Sequence, residues 1–145
     1  IAANKGEKPR PLAKCASGGE LSRIMLAINT VSNRGEAETL IFDEVDAGIS
    51  GIAASRVADR LANLAREKQV LCVSHLSQLA AMADTHFLIR KAQADGRTQT
   101  YVSELDFDGR VREIARINGG ENYSQATMTA AAEQLKTAER LKTRM

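Results

Sequence analysis

Apolar residues recur along this chain at two periods, one helical and one strand-like, and the alternation between them predicts its elements. Leu21, Ile24, Met25, Ile28 and Val31 stand at i, i+3, i+4, i+7 and i+10, which puts one apolar face on a helix from about Gly19 to Ser32, stopped by Asn33 to Gly35. Thr39 to Phe42 is a short apolar run ending in acids and reads as a buried strand. Ser50 is placed to cap a helix over about Ile52 to Glu67, in which Val57, Leu61 and Leu64 share a face. Val70 to Val73 predicts a second buried strand, and Leu76 to Ala83 a short helix. Strands at His86 to Lys91 and Thr98 to Leu105 are joined by Asp95-Gly96, a turn pair that implies an antiparallel hairpin. Two helices close the pattern, Asp108 to Asn118 ended by Gly119-Gly120, and Ser124 to Lys142 with Met128, Ala131, Leu135 and Ala138 as its inner stripe. Ahead of all these, Pro9 and Pro11 among charged residues predict a strand end at Ile1 to Ala3 running into an extended loop.

Short apolar strands separated by amphipathic helices predict an α/β fold: a mostly parallel sheet covered on both faces by helices, with an antiparallel edge hairpin. In such sheets the loops at the carboxyl ends of the strands carry the chemistry, and Asp43, Glu44 and His75 fall there. At 145 residues and 43% hydrophobic the chain suits one domain spanning residues 1–145, and only 3% aromatic content predicts a core of alanine and aliphatic side chains. The net charge of +2 neither demands a polyanionic partner nor excludes one. No apolar run approaches the roughly 18 residues of a membrane span, so a cytoplasmic protein with no membrane partner is expected. Cys15 and Cys72 form no C-x-x-C pair and read as reduced thiols.

Three segments can carry chemistry. Ser17-Gly18-Gly19-Glu20 opens the first helix, where a hydroxyl, two glycine amides and the positive end of the helix dipole suit an anion, and where Ser-x-x-Glu equally makes an ordinary capping box. Asp43 and Glu44 follow an apolar strand, a pattern in which one carboxylate stands near a Mg²⁺ shell and the next polarises a water. Paired acids in that place also serve as caps and surface loops. Asp46 and Gly48 continue the acidic loop. His75, preceded by Ser74 at the mouth of the second strand, is placed to hydrogen-bond a γ-phosphate or an attacking water, whereas His86 reads as a fold residue. A Cys72–His75 nucleophile pair is disfavoured, because strand positions three apart face opposite sides. Arg110, Arg112 and Arg116 read as a solvated helix edge, and no aromatics alternate with basic residues to stack on bases. No Gly-x-x-x-x-Gly-Lys-Ser/Thr loop occurs anywhere in the chain, so the usual cradle for the β- and γ-phosphates of a nucleotide is not encoded here.

Leu12-Ala13-Lys14-Cys15-Ala16-Ser17-Gly18-Gly19-Glu20-Leu21-Ser22-Arg23 and Leu40-Ile41-Phe42-Asp43-Glu44-Val45-Asp46-Ala47-Gly48, followed by Val73-Ser74-His75-Leu76-Ser77-Gln78-Leu79-Ala80, resemble the SMC-like branch of the ABC ATPases in its bacterial DNA-repair form. Val45-Asp46 after the glutamate and Glu20 after the paired glycines differ from the Pro-Thr and Gln of ABC transporter domains, which disfavours a transporter fragment. The resemblance implies the C-terminal half of a P-loop ATPase head, with ATP and Mg²⁺ as cofactors. Ser17, Gly18, Gly19 and Glu20 match its signature motif, Asp43 and Glu44 its Walker B pair with Mg²⁺ held through water at Asp43, Asp46 its D-loop, and His75 its switch histidine. It further implies three partners: an N-terminal lobe carrying Walker A, a second head forming a homodimer around ATP, and DNA. Nucleoid association in the cytoplasm would follow. ATP hydrolysis is then an activity of the intact dimer and is not expected of this chain alone, which opens at Ile1 and reads as a piece of a longer protein or a split-gene product. The alternative is a non-catalytic lobe that docks a partner or DNA.

Overall fold

Helix and strand exchange where the apolar period changes, as residues 2, 6, 8, 11, 17–32, 37–94 and 97–145 of the computed structural model show. Readings that fall on Ile1, Ala3, Pro9, Cys15, Asn33 to Gly35 and the Asp95-Gly96 turn lie outside these residues. The chain divides into two compact units, Ile1–Leu76 and Ser77–Met145.

In the first unit, helix α1 (Gly18–Val31) starts at Ser17, whose hydroxyl accepts from the Glu20 amide while the Glu20 carboxylate reaches back to the Ser17 amide. Strand β1 (Thr39–Phe42) and strand β2 (Gln69–Cys72) pair in parallel, Ile41 opposite Leu71, and are separated by helix α2 (Gly51–Leu64). Ser50 stands at the expected N-cap of α2, but its side chain makes no capping bond there; the first turn closes through its backbone carbonyl, which accepts from Ala54. Leu26, Phe42, Val45, Ala54, Ala58, Leu61 and Leu64 are buried and form this unit's core. The expected cover on both faces of the parallel pair is found on one only: Ile41 and its cross-strand neighbour Leu71 share a face and remain 72% and 46% exposed. The elements among the described residues are too few to shield the second face.

In the second unit, helix α3 (Ser77–Met82) leads into strands β3 (Phe87–Ala94) and β4 (Arg97–Glu104), an antiparallel pair that forms its own two-stranded sheet. Helices α4 (Phe107–Gly119) and α5 (Gln125–Arg144) follow, capped at their starts by the side chains of Asp106 and Ser124. Their apolar stripes meet α3 around Leu79, Met82, Val111, Ile114, Ala131, Leu135 and Ala138, so the predicted inner stripe of the last helix is buried from Ala131 onward.

The arginines of α4 do not form one solvated edge. Arg112 is exposed, but Arg110 turns inward and its Nη2 donates to the carbonyls of Ala80, Ala81 and Ala83, closing the carboxyl end of α3. Burial lowers the Arg110 pKa, a shift opposed by the carboxylates of Glu139 and Asp84. Arg116 makes a forked pair with the buried Glu113, at 2.7 and 2.9 Å, which raises its pKa. A helix whose end lacks partners needs donors from elsewhere, and a guanidinium 30 positions along the chain supplies them. His86 is half-buried as a fold residue, with its Nδ1 buried and unpartnered.

Candidate functional site

Because β1 and β2 run parallel, the residues that leave them emerge at the same end of the pair. The first loop begins with Asp43 and Glu44, and the second, after the Val73 amide has bonded the Phe42 carbonyl, reaches Ser74 and His75. Glu44 has φ of 56°, a left-handed conformation uncommon for a residue with a side chain, and it bends the chain sharply as it leaves β1. The Asp43 Oδ1 accepts from the Glu44 amide at 2.9 Å, and the Glu44 carbonyl accepts from Ala47 at 3.0 Å.

This loop is fastened to the start of α1. Ser22 Oγ donates to the Asp43 carbonyl at 2.7 Å, and Arg23 Nη1 donates to the carbonyls of Val45 and Ala47 at 3.2 and 2.7 Å. Gly19 is buried in the contact: a Cβ built on it would stand 2.9 Å from the carbonyl oxygens of both Glu44 and Ala47, so only glycine lets the backbones approach this closely. Gly18 lies against the Glu44 carboxylate. Ser17 and Glu20 make the reciprocal capping box, and this network, with the serine's bonds first and Arg23 adding to them, holds the Glu20 pKa below the usual carboxylate range. The capping reading of Ser17 and Glu20 therefore holds geometrically, while the Gly18 and Gly19 amides carry no hydrogen bond among the described residues. Of the two, Gly18 is exposed and Gly19 buried, so the Gly18 amide is the donor at this helix start best placed to meet an incoming anion.

Asp46 lies on the inner side of the same loop and is 2% exposed. Its Oδ2 accepts from Ser74 Oγ at 2.6 Å and from the His75 amide at 2.9 Å, and stands 3.2 Å from His75 Nδ1. The His75 side chain is otherwise 75% exposed. Desolvation, reinforced by the carboxylates of Asp46 and Asp43, pushes the Cys72 thiol up to about 11.

Of the residues singled out by sequence, Gly18, Gly19, Asp43 and Glu44 come together at the α1 start, and Asp46 and His75 meet directly. Ser22, Arg23 and Ser74 belong to the same network and were missed as site residues; their one signal was adjacency to residues already chosen. Among the described residues no three His, Cys, Asp or Glu side chains gather as a ready-made metal cage. Asp43 and Glu44, both exposed, fit the mode in which Mg²⁺ keeps most of its water and phosphate ligands and takes only one or two carboxylates.

No family model matches the chain. It is similar to the DNA repair protein RecN of Treponema pallidum, 46% identical over 97% of this chain and 25% of that protein. It is also similar to RecN of Bacillus subtilis, 46% identical over 99% of this chain and 25% of that protein, and to RecN of Deinococcus radiodurans, 49% identical over 93% and 24%. The chain spans about a quarter of the length of the curated relatives it matches. A solved structure described as the structural biochemistry of ATP-driven dimerization and DNA-stimulated activation of SMC ATPases aligns with a TM-score of 0.52 and 19% identity, over 78% of this chain and 68% of that one. The α/β fold is shared with that solved structure, and the resemblance read from the motifs is borne out by the RecN relatives. No helix among the described residues is long and apolar enough to cross a membrane.

Proposed function

On the premise that this chain matches RecN across nearly its whole length, we propose that it is the C-terminal lobe of an ATPase head that works in DNA double-strand break repair and recombination. Its own residues supply the groups that act on a terminal phosphate held by other parts of the protein. ATP supplies the phosphoryl group and Mg²⁺ the charge neutralisation when both are bound. Gly18 and Gly19 present free amides at a helix start, where a γ-phosphate bound to a second head would be met. Asp43 would hold a water of the metal shell, Glu44 would take a proton from the attacking water, and His75 would contact that water or the phosphate. Asp46, matched to the D-loop, ties the loop at the end of β1 to the histidine at the end of β2.

The observation that carries this reading is the fastening of the 43–47 loop to the α1 start by Ser22, Arg23 and the close approach at Gly19, which joins the signature and Walker B segments into one constellation. The uncovered face at Ile41 and Leu71 supports an N-terminal Walker A lobe as the partner that covers it, and a homodimer of heads, DNA and a cytoplasmic setting belong to the same proposal. The test is Glu44→Gln in the complete protein. Turnover should fall by about two orders of magnitude or more with nucleotide binding retained. Unchanged turnover would leave the lobe as a non-catalytic docking or DNA-binding scaffold.

A further inference from the structure

Within the site just described, one buried acid is bound to neither the helix start nor the solvent. Asp46 is 2% exposed, and a single oxygen of its carboxylate receives the Ser74 hydroxyl at 2.6 Å and the His75 amide at 2.9 Å while facing His75 Nδ1 at 3.2 Å. Ser74 also accepts from the Leu76 amide at 3.0 Å, so the hydroxyl is committed and the carboxylate is fixed in place before the imidazole is considered. A carboxylate oxygen offers only lone pairs. Set against a bare Nδ1 it would oppose two lone pairs at close range, so the arrangement is favourable only when Nδ1 carries the hydrogen. In a neutral imidazole the other nitrogen, Nε2, is then an acceptor.

We propose that Asp46 is a positioning residue which, steadied by Ser74, holds His75 as the Nδ1–H tautomer and turns Nε2 outward as a proton acceptor. This rests on the reading of His75 as part of an ATPase site and sharpens it. Neutral His75 in this form cannot donate to a phosphate oxygen through Nε2; it accepts from a water. The role differs from that of a phosphate-contacting loop residue, because Asp46 is buried and acts through the imidazole. The loop that carries Asp46 is clamped to α1 by Arg23, so displacement of that helix start would be felt at the histidine.

Long-range proton–nitrogen correlation spectra of the ¹⁵N-labelled chain at about pH 8 read the tautomer directly. His75→Gln assigns the resonances by their loss. The expected result is a bare Nε2 and a protonated Nδ1 at His75 in the unaltered chain, a preference lost in Asp46→Ala and kept in Ser74→Ala, whose carboxylate remains. An Nε2–H tautomer in the unaltered chain overturns the proposal without any variant having to fold, and an unchanged tautomer in Asp46→Ala overturns it as well. In the complete protein, Asp46→Asn should lower kcat on the order of ten- to a hundredfold with little change in KM. A KM change with kcat intact overturns the positioning role. Normal turnover in His75→Gln, with the tautomer as expected, would instead refute the catalytic reading of the histidine and leave its orientation by Asp46 standing.

Discussion

The Glu44 carboxylate lies against the Cα of Gly18, filling the place where a side chain at that position would begin. One residue further on the obstacle is different in kind: at Gly19 the nearest atoms are the Glu44 and Ala47 carbonyl oxygens and the Ala47 Cβ, at 2.9, 2.9 and 2.8 Å. A carboxylate on a flexible stem can swing aside, whereas backbone held by Ser22 and Arg23 cannot. Gly18→Ala should therefore change stability by no more than about 0.5 kcal/mol, and Gly19→Ala should cost about 1–3 kcal/mol. Denaturant unfolding of the two variants compares them, and equal losses would show that the loop is not clamped to α1.

Arg110 should matter as a donor set and not merely as a positive charge. Arg110→Met keeps much of the aliphatic stem and removes the Nη2 that serves the carbonyls of Ala80, Ala81 and Ala83, so the end of α3 loses its cap at a cost of about 1–3 kcal/mol. Amide exchange in α3 should speed up in this variant and stay unchanged in Arg112→Met. Equal protection in both would return Arg110 to the solvated edge expected from sequence.

His86 gives the second unit a pH dependence of defined sign. Burial chiefly, and Arg110 beside it, lower its pKa below the ordinary 6.5, with Glu113 opposing. As pH falls through that value the unfolded chain takes up a proton before the folded one does, so stability is lost with acidification across the window from 6.5 down to the lowered value. His86→Gln should flatten this part of the profile relative to the unaltered chain. Parallel stability profiles for the two proteins between pH 7 and 5 would rule His86 out as the source.

Mg-ATP should bind this chain only weakly. The amides at Gly18 and Gly19 are too few to compensate a triphosphate, and the lysine-bearing phosphate loop is not in the sequence. Isothermal titration should show no micromolar association, and such binding, if seen, would mean that the phosphates are held by other groups of this lobe.

Most elements were legible in the sequence because the period of apolar residues and the chemistry of caps are local. β1 lies over the predicted Thr39 to Phe42, α1 and α5 begin directly after Ser17 and Ser124, the serines that the sequence marked at their starts, and α4 begins one residue before its predicted start. Ser50 shows the limit of that reasoning, since a residue can occupy the N-cap with its hydroxyl turned elsewhere. The fates of Arg110 and Asp46 were not legible, because each depends on groups 27 to 30 positions away, and composition does not encode which of three arginines will find carbonyls. In the site, the residue types and their spacing were readable; the left-handed turn at Glu44 and the burial of Asp46 emerged only from the backbone.

Because β1 and β2 pair only with each other, their sheet has two outer rims, each a row of amides and carbonyls with no strand beside it among the described residues. Such rims are adhesive in both directions. In the complete head proposed above they would seat neighbouring strands, whereas on this chain alone they offer other copies of the chain a place to add on. Handling this chain at high concentration would then favour edge-to-edge strand pairing between copies, and co-synthesis with the remainder of the protein would suppress that association by occupying the rims first.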